Sequence, residues 1–419
     1  MFQGLSLDQA PPYNIPLRFY ITGGVYLVLL GVLMLFFGLH VNSRYDYEAI
    51  ALTHILTLGF FSHIMVGSMF QMIPVMLGVA YKDVVKRANI IYGMLNVGTV
   101  FLVLGFFLVK IPLIHFGGAV LALAIVFFSI ISLQSVIKTA EKDFLVQNFL
   151  AAFVLFLIGA VIGFVAVLGQ SGLVDATLYG DIHLSFMLFG WIFILINAVS
   201  YKIIPMFFVA NEFPVFIKKY LYMFVTGSLI FLSFAKIFEI SWLFLLFKAL
   251  LAVSVVVFAF YSIILLKNRK RARRDVSVDL WYFSMINIIL ASLLAVFSDY
   301  VDVALWEMVP FFALFGGAYA LINAMLYKIV PFLTWFHLSS NMVFDAEMND
   351  VIKKPQMKLQ VYFYFAAYVL FTCKVFWEYF MIIGSIAFII SSALLLRNLI
   401  YAFLYYKEYI KKKIDMSNF

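Results

Sequence analysis

Cysteine is almost missing from this chain: Cys373 stands alone among 419 residues. That excludes a disulfide framework or a cysteine metal centre built within one chain. Charge is scarce too, at 12% of residues, and it is lopsided, with 29 Lys and Arg against 21 Asp and Glu. All the carboxylates fall in loops, tails or the ends of apolar runs. A buried carboxylate relay is therefore lacking, which argues against proton- or sodium-coupled transport. Short alternating stretches are lacking as well, and a membrane barrel would need them. What remains is apolar, at 65% of the chain with 49 Phe.

Apolar runs of such length cross a bilayer as helices, because a hydrocarbon core of about 30 Å takes roughly 20 residues at a rise of about 1.5 Å each. Twelve runs are predicted, at 17–40, 48–80, 88–109, 112–137, 145–169, 178–209, 215–236, 241–266, 279–298, 304–335, 357–377 and 380–405. The expected fold is thus an all-α polytopic membrane protein. With the N-terminus in the cytoplasm, twenty-one Lys and Arg fall on cytoplasmic segments, and only Arg44, Lys110, Lys236 and Lys374 fall opposite. This asymmetry places both termini inside. It also reads KNRKRARR (Lys267 to Arg274) as a topology anchor at the lipid surface, so the net charge of +8 does not call for nucleic acid. The opening MFQGLSLDQAPPYNIPLRF has neither a basic start nor an early apolar stretch, so the first helix is expected to remain as an anchor.

One stretch recurs. Tyr47 to Ala80, Leu178 to Ala210 and Leu305 to Leu338 align on Gly59, Gly190 and Gly316, each followed fifteen positions later by Pro74, Pro205 or Pro331. The second and third copies read LINAVSYKIIP (Leu195 to Pro205) and LINAMLYKIVP (Leu321 to Pro331). A repeat of this kind sets the organisation before any single helix does. It divides the chain into a leader (1–16), three pseudo-symmetric four-helix repeats (17–143, 144–274, 275–405) and a basic tail (406–419). Gln71, Lys202 and Lys328 share one register near the prolines, and both lysines are expected to snorkel toward headgroups.

Six histidines carry the remaining chemistry: His40, His54, His63, His115, His183 and His337. His54 lies twenty residues before the proline of its core and His183 twenty-two before its own, a difference in depth of about 3 Å. Two neutral imidazoles at matched depth are a usual axial pair for heme b. Two residues also correspond to about 200° around a helix, so the pair either converges between its two cores or points away. His63 sits about 180° from His54 and is read as packing or a lone polar contact outside that site. Met65, Met69, Met72 and Met76 recur at helical spacing, with His54 assigned to the same face. Soft thioethers suit monovalent copper, so a copper conduit is the competing reading.

Twelve helices in three repeats with the Gly-to-Pro spacing resemble the heme-copper oxidase subunit I superfamily. HLSFMLFGWIFILINAVSYKIIP looks most like the tenth helix of its cbb3-type members, and THILTLGFFSHIMVGSMFQMIP is similar to NnrS membrane proteins. The resemblance implies a bacterial cytoplasmic (inner) membrane location, with redox proteins or quinone as possible partners. The registers that hold the low-spin heme in the oxidases are Leu52 and Phe311 here, so that site is gone. No histidine pair lies in Val215 to Lys236, and the tenth-helix ligand register is Val309, so the oxygen-reducing centre is gone too. Turning the oxidase pairing by one step of the pseudosymmetry joins His183 to His54. The expectation is a bis-histidine heme b between His54 and His183, with Gly59 and Gly190 beside it and His40 or His115 as auxiliary groups. The chain is then not a catalytic oxidase on its own. It would serve electron transfer, sensing or heme handling, with a permease for copper or another small solute as the alternative.

Overall fold

The computed structural model describes residues 6–40, 43–140, 142–270, 275–297, 308–374 and 376–412. Residues 1–5 of the leader, 271–274 of the basic cluster, 298–307 with the start of the third core, and the tail from 413 lie outside the described residues, as does the side chain of His40. Among the described residues there is no strand. The long helices are α1 (Asn14–Phe37), α2 (Tyr47–Leu77), α3 (Val84–Phe107), α4 (Ile111–Ile137), α5 (Phe144–Leu168), α6 (Ala176–Phe208), α7 (Val215–Ile237), α8 (Ser241–Lys267), α9 (Val276–Phe297), α10 (Met308–Ser339), α11 (Lys354–Cys373) and α12 (Phe380–Tyr409). All but α11 are both long and apolar enough to cross a membrane. Its 20 residues include Lys354, Gln356, Lys358 and Gln360, which dilute the apolar character expected of 357–377.

Helices suit this sequence because lipid offers no partner to a backbone amide, so each segment must satisfy its own. Their ends follow local chemistry. Asp143 caps α5 by accepting from the Val146 amide at 3.0 Å, and Asp175 caps α6 by accepting from Thr177 at 2.8 Å and Leu178 at 3.0 Å. After α2, Gly78 turns left-handed at φ +69°, and its amide reaches back to the Pro74 carbonyl at 2.9 Å.

Packing divides the chain into two compact units: Met1–Ala10, Gln71–Arg274 and Trp281–Ala320 in the first, and Pro11–Phe70, Asp275–Leu280 and Leu321–Phe419 in the second. This division cuts across the repeat boundaries expected from the sequence. Within the first unit, α3 pairs with α4, α4 packs on α5, α5 on α6, and α7 pairs with α8. Trp191 of α6 stacks on Phe156 of α5 with ring centroids 3.9 Å apart and 7° between planes. Within the second unit, α1 packs along α12 and against α2, while α11 pairs with α12.

All three cores widen at the same place. The backbone makes π-helical turns over Ile55–Ser62, Phe186–Phe193 and Phe311–Tyr319, each enclosing the aligned glycine. Each glycine meets the helix that opens its predicted repeat. A Cβ would lie 2.7 Å from the Tyr26 ring at Gly59, 2.8 Å from Leu155 at Gly190 and 2.2 Å from Asn287 Oδ1 at Gly316. No side chain fits those positions without displacing a neighbour, and helices in lipid rely on such close approach.

Candidate functional site

His183 lies in the last turn of the α-helical first part of α6, three residues before the π turns begin at Phe186. Its Nδ1–H donates to the Gly159 carbonyl of α5 at 2.8 Å. One turn further along α5, Gly163 leaves the space that the ring fills, since a Cβ there would lie 2.5 Å from both Cε1 and Nδ1 of His183. The pair forms the small-xxx-small spacing Gly159-Ala-Val-Ile-Gly163, a known signature of close helix approach. That motif was legible in the sequence and was not part of the expected site. Asp181, one turn before Ser185 on α6, pairs with Lys236 of α7 and ties α6 to a second neighbour.

His54 closes the α-helical first part of α2. Its Nδ1–H donates to the Ile50 carbonyl, one turn back on its own helix, at 2.7 Å. A carbonyl can only accept, so in both residues the ring proton sits on Nδ1 when the imidazole is neutral, and the in-plane lone pair belongs to Nε2. A backbone carbonyl on one ring nitrogen is the arrangement that orients a metal-ligating histidine and raises its basicity. His54 belongs to the second unit and His183 to the first.

His63 shares this Nδ1 arrangement, whereas among the described residues His115 and His337 do not. His63 is fully buried, with Nδ1 on the Leu58 carbonyl at 2.8 Å and its ring against Tyr26 and Phe19 at 5.3 and 6.1 Å. That carbonyl is five residues back, a reach the π turns supply. His115 of α4 has a buried Nε2 with no hydrogen-bond partner among the described residues. His337 of α10 is likewise buried at Nε2 and lies edge-on to Tyr13 and Phe336. For Gly59 and Gly190 the structure shows a packing role, against Tyr26 and Leu155.

The π turns also correct two angular readings. A π turn holds one residue more than an α turn, so counting 100° per residue from His54 to His63, or from His54 to Met65, overruns by at least about 100°. His54 is therefore off the face it was assigned to share with the methionines. Met65, Met69 and Met72 lie beyond Ser62 in regular α-helix and are buried together, 6%, 1% and 8% exposed, as core-filling side chains would be. The two-residue offset between His54 and His183 is unaffected, because both precede their π turns. Of the shared register near the prolines, Gln71 is buried with Oε1 unpartnered among the described residues, Lys202 is exposed, and Lys328 pairs with Asp275 at the foot of α9 instead of extending alone to headgroups.

These features define an all-α polytopic membrane protein in which His54, His63 and His183 each donate Nδ1–H to a backbone carbonyl. Among the described residues no group of three or more His, Cys, Asp or Glu could hold a metal ion. No family model and no curated protein matches the chain.

Proposed function

We propose that this chain is a membrane heme b protein of twelve spans in three four-helix repeats, with both termini cytoplasmic, and that His54 and His183 are the axial ligands. The observation that carries the reading is the position of His54 and His183 two residues apart in the repeat frame, each just ahead of its π turns and each with Nδ1 committed to a backbone carbonyl, at 2.7 and 2.8 Å. The donor set fits the group, since heme iron takes neutral imidazole nitrogen and needs only two such ligands from the protein. The common register of the π turns and the three glycine contacts support the repeat on which the pairing rests.

When bound, heme b supplies one-electron chemistry. The chain's own residues orient the two imidazoles and hold α5, α6 and α7 together through Gly159, Gly163 and the Asp181–Lys236 pair. The activity is electron transfer, sensing or heme handling in the membrane, with no oxygen reduction by the oxidase mechanism. A pyridine hemochrome assay on protein purified from heme-replete cells tests it. The expected result is stoichiometric heme b with a low-spin reduced spectrum that His54→Ala or His183→Ala abolishes. Colourless protein, or a spectrum untouched by both substitutions, would defeat the assignment.

A further inference from the structure

The second and third cores carry the same buried pair, an Asn and a Tyr one turn apart: Asn197 and Tyr201 in α6, Asn323 and Tyr327 in α10. In the third core the chain answers both groups. Gln360 Oε1 of α11 accepts from Asn323 Nδ2 at 3.1 Å and from the Tyr327 hydroxyl at 2.9 Å. Asn398 of α12 donates to the same hydroxyl at 3.2 Å, and Gln360 Nε2 donates to Ser391 Oγ at 2.8 Å. Among the described residues the second core has no such acceptor. Helix α7, which follows α6 as α11 follows α10, contains neither Asn nor Gln. Tyr201 is 5% exposed and its hydroxyl has no hydrogen-bond partner among the described residues. Asn197, 2% exposed, turns Nδ2 back to the Phe193 carbonyl of its own helix at 2.6 Å, leaving its second N–H to be matched and its Oδ1 without a partner among the described residues.

A buried hydroxyl without an acceptor is destabilising, and more so in a hydrocarbon setting. We infer that the second core takes from outside the chain the uncharged oxygen acceptor that Gln360 provides in the third, bound by the Tyr201 hydroxyl and the second N–H of Asn197. A charged acceptor does not suit the place, because its walls are aromatic. Phe213 lies edge-on to Tyr201 at 5.1 Å, Phe258 stacks on Phe213 at 5.9 Å, and Phe193 meets Phe258 at 5.6 Å. Two sources offer that chemistry: the carbonyl of a membrane quinone, whose flat ring suits aromatic faces, and an ordered water. This inference stands without the heme reading.

The test compares Tyr201→Phe with Tyr327→Phe in the full chain. Thermal unfolding is measured for each, and solvent extracts of the purified protein are assayed for isoprenoid quinone. Removing a hydroxyl that has an acceptor lowers Tm, by about 2 °C or more, whereas removing an orphaned one leaves Tm unchanged or raises it. Tyr327→Phe is expected to fall because Gln360 and Asn398 lose their partner. A fall in Tyr201→Phe together with near-stoichiometric quinone in the wild type, reduced at least fivefold in the variant, identifies a quinone carbonyl. The same fall without extractable quinone identifies water. A Tyr201→Phe Tm equal to or above the wild type overturns the inference whatever the extract contains.

Discussion

His54 and His183 reach the same tautomer by different routes. For His54 the accepting carbonyl belongs to Ile50 of its own helix. For His183 it belongs to Gly159, twenty-four residues away on α5, and it is reachable only because Gly163 has no side chain. One base is thus set by local helix geometry and the other by how closely two helices approach. The difference predicts where each is vulnerable: His183 to changes on a neighbouring helix, His54 to changes in α2.

Gly163→Ala breaks the comparison most directly. The new methyl occupies the place of the imidazole, so the Gly159 bond is lost, and heme affinity is expected to fall about 10- to 100-fold, as for loss of an orienting partner. Heme titration of the apoprotein reads this out. Gly180→Ala, on the same helix as His183 with open space around it, should leave the affinity unchanged. Gly59→Ala forces a methyl into the Tyr26 ring and should destabilise by about 1–3 kcal/mol, measured by thermal unfolding, while the Ile50 bond of His54 persists. Lys236→Met leaves Asp181 without its ion pair two residues before His183. Both partners are half-buried, so the expected loss is about 1 kcal/mol, with a smaller change in heme affinity than Gly163→Ala gives.

The smallest effect lies beyond the histidines, at the α6–α7 loop. The Lys218 ammonium, 2.8 Å from Glu212, holds that carboxyl below its ordinary range. A depressed carboxylate pKa contributes stability at neutral pH, and the contribution fades as pH falls through the lowered value. Lys218→Met should therefore flatten the acid limb of a Tm-against-pH curve slightly and leave its neutral part within about 1 kcal/mol, since Glu212 is largely exposed.

Much of this architecture was readable before any coordinates. Runs such as 215–236 and 112–137 became helices Val215–Ile237 and Ile111–Ile137. The π turns were not readable. In α2 and α6 apolar residues surround the helix on every side, so the pattern has no phase in which an extra residue per turn could show. The phase error that placed His54 on the methionine face follows from this. Lys328 was read as free to extend because its partner, Asp275, lies 53 residues away on the approach to α9. The Gly159–Gly163 spacing was visible, but nothing local says which side chain enters the gap.

By itself the sequence determined where the long apolar helices lie, because lipid forces each apolar run to satisfy its own backbone, and it singled out His54 and His183 by their place in the repeat frame. Only the tertiary structure decided which carbonyl takes the His183 proton and which buried tyrosine finds an acceptor. Both depend on how near one helix comes to another, and that distance is set by side chains dozens of residues apart.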